Sequence, residues 1–198
     1  GLYNPTNLGS ETARSELRSA VRNKLGLPAG SRLVLGVGYG DHRKGLDLFV
    51  DMSLTLLERD HEAVAVWVGH LDGRFGDAQK RRVRAAGLSD RIVFTGLVDE
   101  PQEFFQAADV YALTSREDPF PSVVLEAMDA GLPVVAFEGA GGFVDLLRRG
   151  CGIAVPAFDT SAMASGIEDL LDRPDYAAQM GRSGREIIEH EFHVRDYA

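Results

Sequence analysis

Two kinds of segment alternate along this chain, and that alternation most limits what it can fold into. Short β-branched or apolar runs, "RLVLGVG" (32–38), "AVAVWVG" (63–69), "RIVFTG" (91–96), "DVYALTS" (109–115), "LPVVAF" (132–137) and "GIAVP" (152–156), carry no polar face. They predict strands buried on both sides. Between them lie helical patterns at Leu46–Leu57, Asp77–Ala86, Pro101–Ala107, Ser122–Ala130, Gly142–Arg148 and Ser161–Leu171, with further helices at Ser10–Leu25 and Asp175–Glu191. Strand–helix alternation of this kind predicts an α/β fold. The expected form is a doubly wound parallel sheet of about six strands with helices on both faces, a Rossmann-like arrangement. In such sheets ligands sit beyond the carboxyl ends of the strands, near a switch in strand order. The informative loops are therefore those after Val37, Val68, Phe94, Leu113 and Phe137.

At 198 residues the chain is expected to be one domain, with 1–30 a linker plus a leading helix and 172–198 a closing helix. A net charge of −9 gives no general attraction to DNA, RNA or anionic lipid, so any bound anion must be held by local cations and amides. A lone cysteine, Cys151, excludes a disulfide framework and a cysteine-rich zinc site, and fits a reducing, cytoplasmic setting. His42 reads as a polar loop residue rather than a catalytic base, and His61, His70, His190 and His193 show no metal-ligand spacing. No apolar stretch approaches the roughly 20 residues of a membrane span. "GLYNP" reads as a linker, and "EFHVRDYA" stops within a helical pattern.

"GVGYGDHRKG" follows the first strand. It is not a dinucleotide fingerprint, because GxGxxG from Gly36 would need glycine where Asp41 stands, nor a Walker A loop, because Leu46 follows Gly45. What remains is a flexible glycine loop, with Gly38 permitting close approach of a ligand, that carries Arg43 and Lys44 into a helix start. Amides at such a start, with two cations, suit phosphate. The plainer alternative is a pair of solvated charges on a turn. In "SREDPFPSVVLEAM" (115–128), Pro119 and Pro121 delimit a helix whose apolar face is Val123, Val124, Ala127 and Met128. Glu126 points away from that face and Asp118 lies eight positions before it, so two carboxylates can flank one pocket and accept hydrogen bonds from a polyol. Their plainer roles are helix capping for Asp118 and a favourable charge early in a helix for Glu126.

Taken in order, "RKGLDLFVDM", "VFTGLV" and "EDPFPSVVLEAMDAGLPVVAFEGAGG" resemble the donor-binding segment of retaining, GT-B-fold glycosyltransferases of the group 1 family, over about Arg32 to Leu171. The resemblance implies the C-terminal, nucleotide-sugar-binding half of a GT-B fold. By position it implies that Lys44 contacts the donor diphosphate, Glu126 holds the ribose hydroxyls and Asp118 contacts the transferred sugar. Leu97 and Val98 would present backbone to the base, amides at Ser122 and Val123 would lie near phosphate or sugar, and Gly141–Gly142 would border the site. It departs from the family at Tyr39, where an arginine is usual and Arg43 would take over. It departs at Asp118, where glutamate is usual and the neighbouring Glu117 could substitute. It also departs at Pro121, where glycine is usual.

The implied reaction is transfer of a sugar from a UDP-, GDP- or ADP-sugar to an acceptor hydroxyl with retention, of the kind used in cell-surface polysaccharide biosynthesis. No cofactor and no metal are expected, since no Asp-x-Asp marks a strand end. The implied partners are the donor and an N-terminal acceptor-binding domain absent from this chain, toward which the closing helix would cross. Nucleic acid is not implied, and peripheral membrane association belongs to the full enzyme. Alone, the chain is expected to bind nucleotide and be nearly inactive. A GT-B-type sugar-nucleotide epimerase and a non-catalytic nucleotide-binding domain remain alternatives, distinguished by product analysis; a plain dinucleotide oxidoreductase is weakened by the missing fingerprint.

Overall fold

The structure, a computed structural model, describes residues 11–119 and 122–192. The expected linker at 1–10, Phe120, the departure at Pro121, and 193–198 with His193 lie outside those residues. Six parallel strands form one sheet: β1 (Arg32–Val37), β2 (Ala63–Val68), β3 (Ile92–Gly96), β4 (Val110–Leu113), β5 (Val134–Phe137) and β6 (Gly152–Val155). Their order is β3-β2-β1-β4-β5-β6. The chain winds outward from β1 in one direction, then returns to β4 and winds in the other, so the strand order reverses between β1 and β4. That is where a doubly wound sheet opens a crevice for ligand.

Helices α1 (Glu11–Lys24), α4 (Gln102–Ala107), α5 (Ser122–Asp129) and α8 (Pro174–Glu191) pack together on one side. Helices α2 (Leu46–Arg59), α3 (Gly73–Ala85) and α7 (Thr160–Asp172) make the other layer, and α6 (Val144–Leu146) is a short turn before β6. Because both faces are covered, β2 is buried at every position, which is why its sequence shows no alternation. The Asp159 carboxylate accepts from the Ala162 amide at 2.8 Å and starts α7. Pro174 opens α8 where its missing N–H costs nothing.

Several boundaries differ from expectation; α3, expected from Asp77, opens at Gly73. The strand expected from 132 begins at Val134, since Pro133 cannot donate to the ladder. The strand expected to reach Ser115 ends at Leu113, where the chain turns into the site loop. The helix expected over Gly142–Arg148 is α6 followed by a wide turn at Leu147–Cys151; Gly150, at φ 91°, ends it, and the Cys151 thiol donates to the Leu146 carbonyl at 3.0 Å. Cys151 is buried there, and burial pushes its thiol up to about 11, which suits a structural residue.

Candidate functional site

The loop after β1 is held along its length, against the expectation of a flexible one. The Gly38 amide donates to the Val68 carbonyl at 2.9 Å, and the Gly38 carbonyl accepts from the Trp67 indole at 3.1 Å. The Gly40 amide donates to the His70 carbonyl at 2.7 Å, tying the loop to the end of β2. Trp67, expected in the core, is 2% exposed and edge-on to Phe49. Tyr39, at the place where the family has arginine, stacks on His70 with ring centres 5.5 Å apart.

The amides expected to await phosphate at the α2 start are already used. Asp41 Oδ1 accepts from the Lys44 amide at 2.7 Å, the Asp41 carbonyl from Leu46 at 3.3 Å, and the His42 carbonyl from Gly45 at 3.2 Å. The short polar turn that shapes the loop consumes the donors the helix start would have offered. Of the cationic side chains on this loop, Arg43 is exposed and Lys44 is half-buried.

This loop is stitched to the one after β4, across the point where strand order reverses. Thr114 Oγ1 donates to the Lys44 carbonyl at 3.2 Å, and the Arg116 amide to the Arg43 carbonyl at 2.8 Å. The Arg116 guanidinium grips both carboxylate oxygens of Asp47, at 2.8 and 2.7 Å, and donates to the His42 carbonyl at 2.6 Å. Bidentate pairing of this kind is strong and directional. The sequence reading missed Arg116, because its partner stands 69 positions away. Arg43 donates to the Glu117 carbonyl at 3.4 Å from an exposed position.

Of the two adjacent acids, Asp118 is 7% exposed and Glu117 is exposed. Asp118 forms an ion pair with Lys44 and accepts from Ser115 Oγ at 3.3 Å. The Asp118 amide donates to the Ala140 carbonyl at 2.8 Å, and the Gly142 amide to the Pro119 carbonyl at 3.1 Å. Gly141 permits this contact: a Cβ there would lie 1.9 Å from the Asp118 carbonyl oxygen. The Gly141–Gly142 turn thus fits directly against the acidic loop.

Glu126 is half-buried on the first turns of α5, with Ser122 exposed and Val123 half-buried ahead of it. Burial pushes the Glu126 carboxyl above its usual range, while a hydrogen bond from Ser122 works the other way. Tyr111 is fully buried on β4. Burial, and then the charges of Glu126 and Asp118, push its hydroxyl far up, so it stays a neutral phenol. Tyr111 is a second residue the sequence reading missed; at the centre of a strand pattern it looks like any core aromatic.

A raised carboxyl stabilises the folded state only while protonated, so the stability it contributes is lost as pH rises through the folded value. Glu126→Gln is therefore expected to raise the melting temperature above that of the wild type at pH 7–8. The advantage should vanish below the ordinary carboxylate range. Melting curves from pH 4 to 8 check this, and a lower melting temperature at pH 8 would refute the assigned environment.

The turn after β3 stands at the same edge. The Gly69 amide donates to the Gly96 carbonyl at 3.0 Å, fastening the ends of β2 and β3 together. Leu97, next along, is 80% exposed, with Val98 partly buried. Among the described residues, no group of three or more His, Cys, Asp or Glu side chains is placed to hold a metal ion. No helix among them is long and apolar enough to cross a membrane.

The geometry defines a doubly wound α/β domain with a lysine–aspartate pair joining two loops at its switch point and a glycine turn packed against the acidic loop. The family described as glycosyl transferases group 1 matches residues 18–187. The lipopolysaccharide core biosynthesis mannosyltransferase LpsB of Rhizobium meliloti (strain 1021) is 34% identical over 168 residues, which are 81% of this chain and 48% of that protein. The crystal structure of Anabaena HepE in complex with UDP-glucose superposes with a TM-score of 0.82 at 26% identity, covering 91% of this chain and 50% of that one. The C-terminal domain of the group 1 protein LpcC from Francisella tularensis shares the fold, with a TM-score of 0.79 at 18% identity over 89% of this chain and 93% of that one. This chain belongs to the glycosyl transferases group 1 family. It spans about half the length of LpsB.

Proposed function

We propose that this chain is the donor-binding half of a retaining glycosyltransferase that uses a nucleoside-diphosphate sugar. The observation that carries the reading is the ion pair of Lys44, on the loop after β1, with Asp118, on the loop after β4, across the point where strand order reverses. HepE, with a superposable fold and bound UDP-glucose, supports it. When donor enters, its diphosphate takes Lys44 from Asp118. Asp118 is then free to accept from a hydroxyl of the transferred sugar. Glu126 accepts from the ribose hydroxyls, and the exposed Leu97–Val98 turn meets the base. Arg43 adds a second cation, and the α5 start, at Ser122 and Val123, offers amides that the α2 start does not.

Transfer breaks the bond between the anomeric carbon and the diphosphate oxygen and forms one to the acceptor oxygen on the same face. A phosphate oxygen takes the acceptor proton. No cofactor enters this reading. The role of this half is to place the donor and stabilise the departing charge, where one preorganised donor is typically worth about 3 kcal/mol. A second domain, outside this chain, would supply the acceptor site.

The test is calorimetry of the chain against UDP, GDP, ADP and their sugars, with NAD as control. One nucleoside diphosphate should bind saturably, NAD should not, and turnover by the chain alone should be close to none. Failure of all three diphosphates would overturn the donor-site reading, and turnover at full rates would overturn the need for a second domain.

A further inference from the structure

The pairing of β1 with β2 does not stop at the strand ends. Past Val37 and Val68, the Gly40 amide donates to the His70 carbonyl at 2.7 Å, and the Asp72 amide to the Gly40 carbonyl at 3.1 Å. This extension sets the side chains of Tyr39 and His70 beside each other. Their rings stack with centres 5.5 Å apart and planes 29° from parallel. The Tyr39 hydroxyl reaches Asp72 Oδ1 at 3.4 Å.

The backbone that carries the two rings has little room to move. A Cβ on Gly69 would lie 2.1 Å from the Gly38 carbonyl oxygen. One on Gly40 would lie 2.6 Å from Leu71 Cδ2 and 3.3 Å from the His70 carbonyl oxygen. The rings themselves remain open to solvent, since His70 is exposed and Tyr39 is 47% exposed. A single exposed aromatic is ordinary on a protein surface. Here two are stacked on fixed backbone at the ligand edge of the sheet. With one face of Tyr39 resting on His70, the other is left for a third flat group.

The pair stands between the places given to the two ends of a nucleoside diphosphate. On one side, Gly38 lies against the side chain that would meet the diphosphate: a Cβ on it would be 3.5 Å from Lys44 Cδ. On the other side, Gly69 directly precedes His70 and donates to the Gly96 carbonyl at 3.0 Å. Gly96 directly precedes Leu97, which is 80% exposed. A molecule with its phosphates at Lys44 and its base at the Leu97 turn therefore passes beside the two rings. Tyr39 has no charge to offer the phosphates. Every nucleobase, however, has a π-face that stacks on an aromatic ring.

We propose that the Tyr39–His70 stack is the platform for the nucleobase of the donor, with Tyr39 laying its open face on the heterocycle and His70 supporting it from behind. The proposal rests on the donor-site reading above. Stacking tolerates any base, so the pair would set affinity for the nucleoside, and edge contacts at the Leu97–Val98 turn would set which base is preferred.

The test is titration of wild-type, Tyr39→Ala and Tyr39→Phe chains with UDP, GDP and ADP, and with pyrophosphate as the probe that has no base. Tyr39→Ala should weaken the preferred nucleoside diphosphate by about fivefold or more, the lower end of what removal of a stacked aromatic costs. Its pyrophosphate affinity and melting temperature should be unchanged. Tyr39→Phe keeps the ring and loses only the contact with Asp72, so it should bind as the wild type does. Proton spectra of the bound nucleotide give a readout that loop packing alone would not move: base protons shifted upfield by the ring in wild type and Tyr39→Phe, and not in Tyr39→Ala. A smaller loss in Tyr39→Ala, an equal loss for pyrophosphate, or unshifted base protons in the wild-type complex would overturn the platform and leave the donor site standing. Failure of the wild-type chain to bind any of the three diphosphates would overturn the donor site, and the platform with it.

Discussion

Lys44→Ala should lower affinity for the preferred nucleoside diphosphate by about 10- to 100-fold while leaving affinity for the nucleoside unchanged. A charge-assisted hydrogen bond is worth about 1.5–3 kcal/mol, which is that range. The structure adds a second consequence. The Lys44 and Asp118 side chains are only 16% and 10% exposed and neutralise each other. Removing the cation leaves a mostly buried carboxylate alone, at a cost of about 3 kcal/mol of stability. Asp118→Asn is expected to act in the opposite sense on binding. It releases Lys44, so free diphosphate should bind more tightly while transfer by an enzyme containing this half falls. The double variant should recover stability and keep the weak binding. Calorimetry with matched urea unfolding checks the set. Equal loss of nucleoside and diphosphate on Lys44→Ala, or weaker diphosphate binding on Asp118→Asn, would refute the exchange of partners at Lys44.

Gly45→Ala should destabilise the chain by at least about 3 kcal/mol and abolish saturable nucleotide binding. Gly45 has φ 71°, in the left-handed region that costs other residues about 1–2 kcal/mol. A Cβ there would stand 1.9 Å from the Thr114 carbonyl oxygen, which is backbone and cannot swing aside. Relief would require parting the β1 and β4 loops, and with them Lys44 from Asp118 and Arg116 from Asp47. Urea unfolding gives the stability, and titration with nucleoside diphosphate gives the site. A loss below 1 kcal/mol would mean that the two loops are not rigidly joined.

Much of the fold was legible because its strands are buried on both faces. "AVAVWV" admits no other reading than a central strand once helical patterns flank it. Two of the short stretches singled out in the sequence, "RKG" and "EDP", do meet in the structure, through the Lys44–Asp118 ion pair. The site was not legible where it depends on pairing across the chain. Arg116 reads as a loop cation until Asp47, 69 positions away, lies against it. Tyr111 reads as core, and only folding lets the charges of Glu126 and Asp118 act on its hydroxyl. Tyr39 reads as a lone loop aromatic until the paired ends of β1 and β2 bring His70 against it.

By itself, then, the sequence determined the layer architecture, the parallel sheet and the short stretches bearing the cation and the acids. These follow from local periodicity and from residue chemistry, which neighbours in the chain suffice to express. Tertiary structure alone decided which of two adjacent acids meets Lys44, and that the α2 amides are spent on Asp41 and the loop's own turns. Each of these depends on which groups folding brings within hydrogen-bond reach, and a distance of about 3 Å between residues far apart in sequence leaves no local trace.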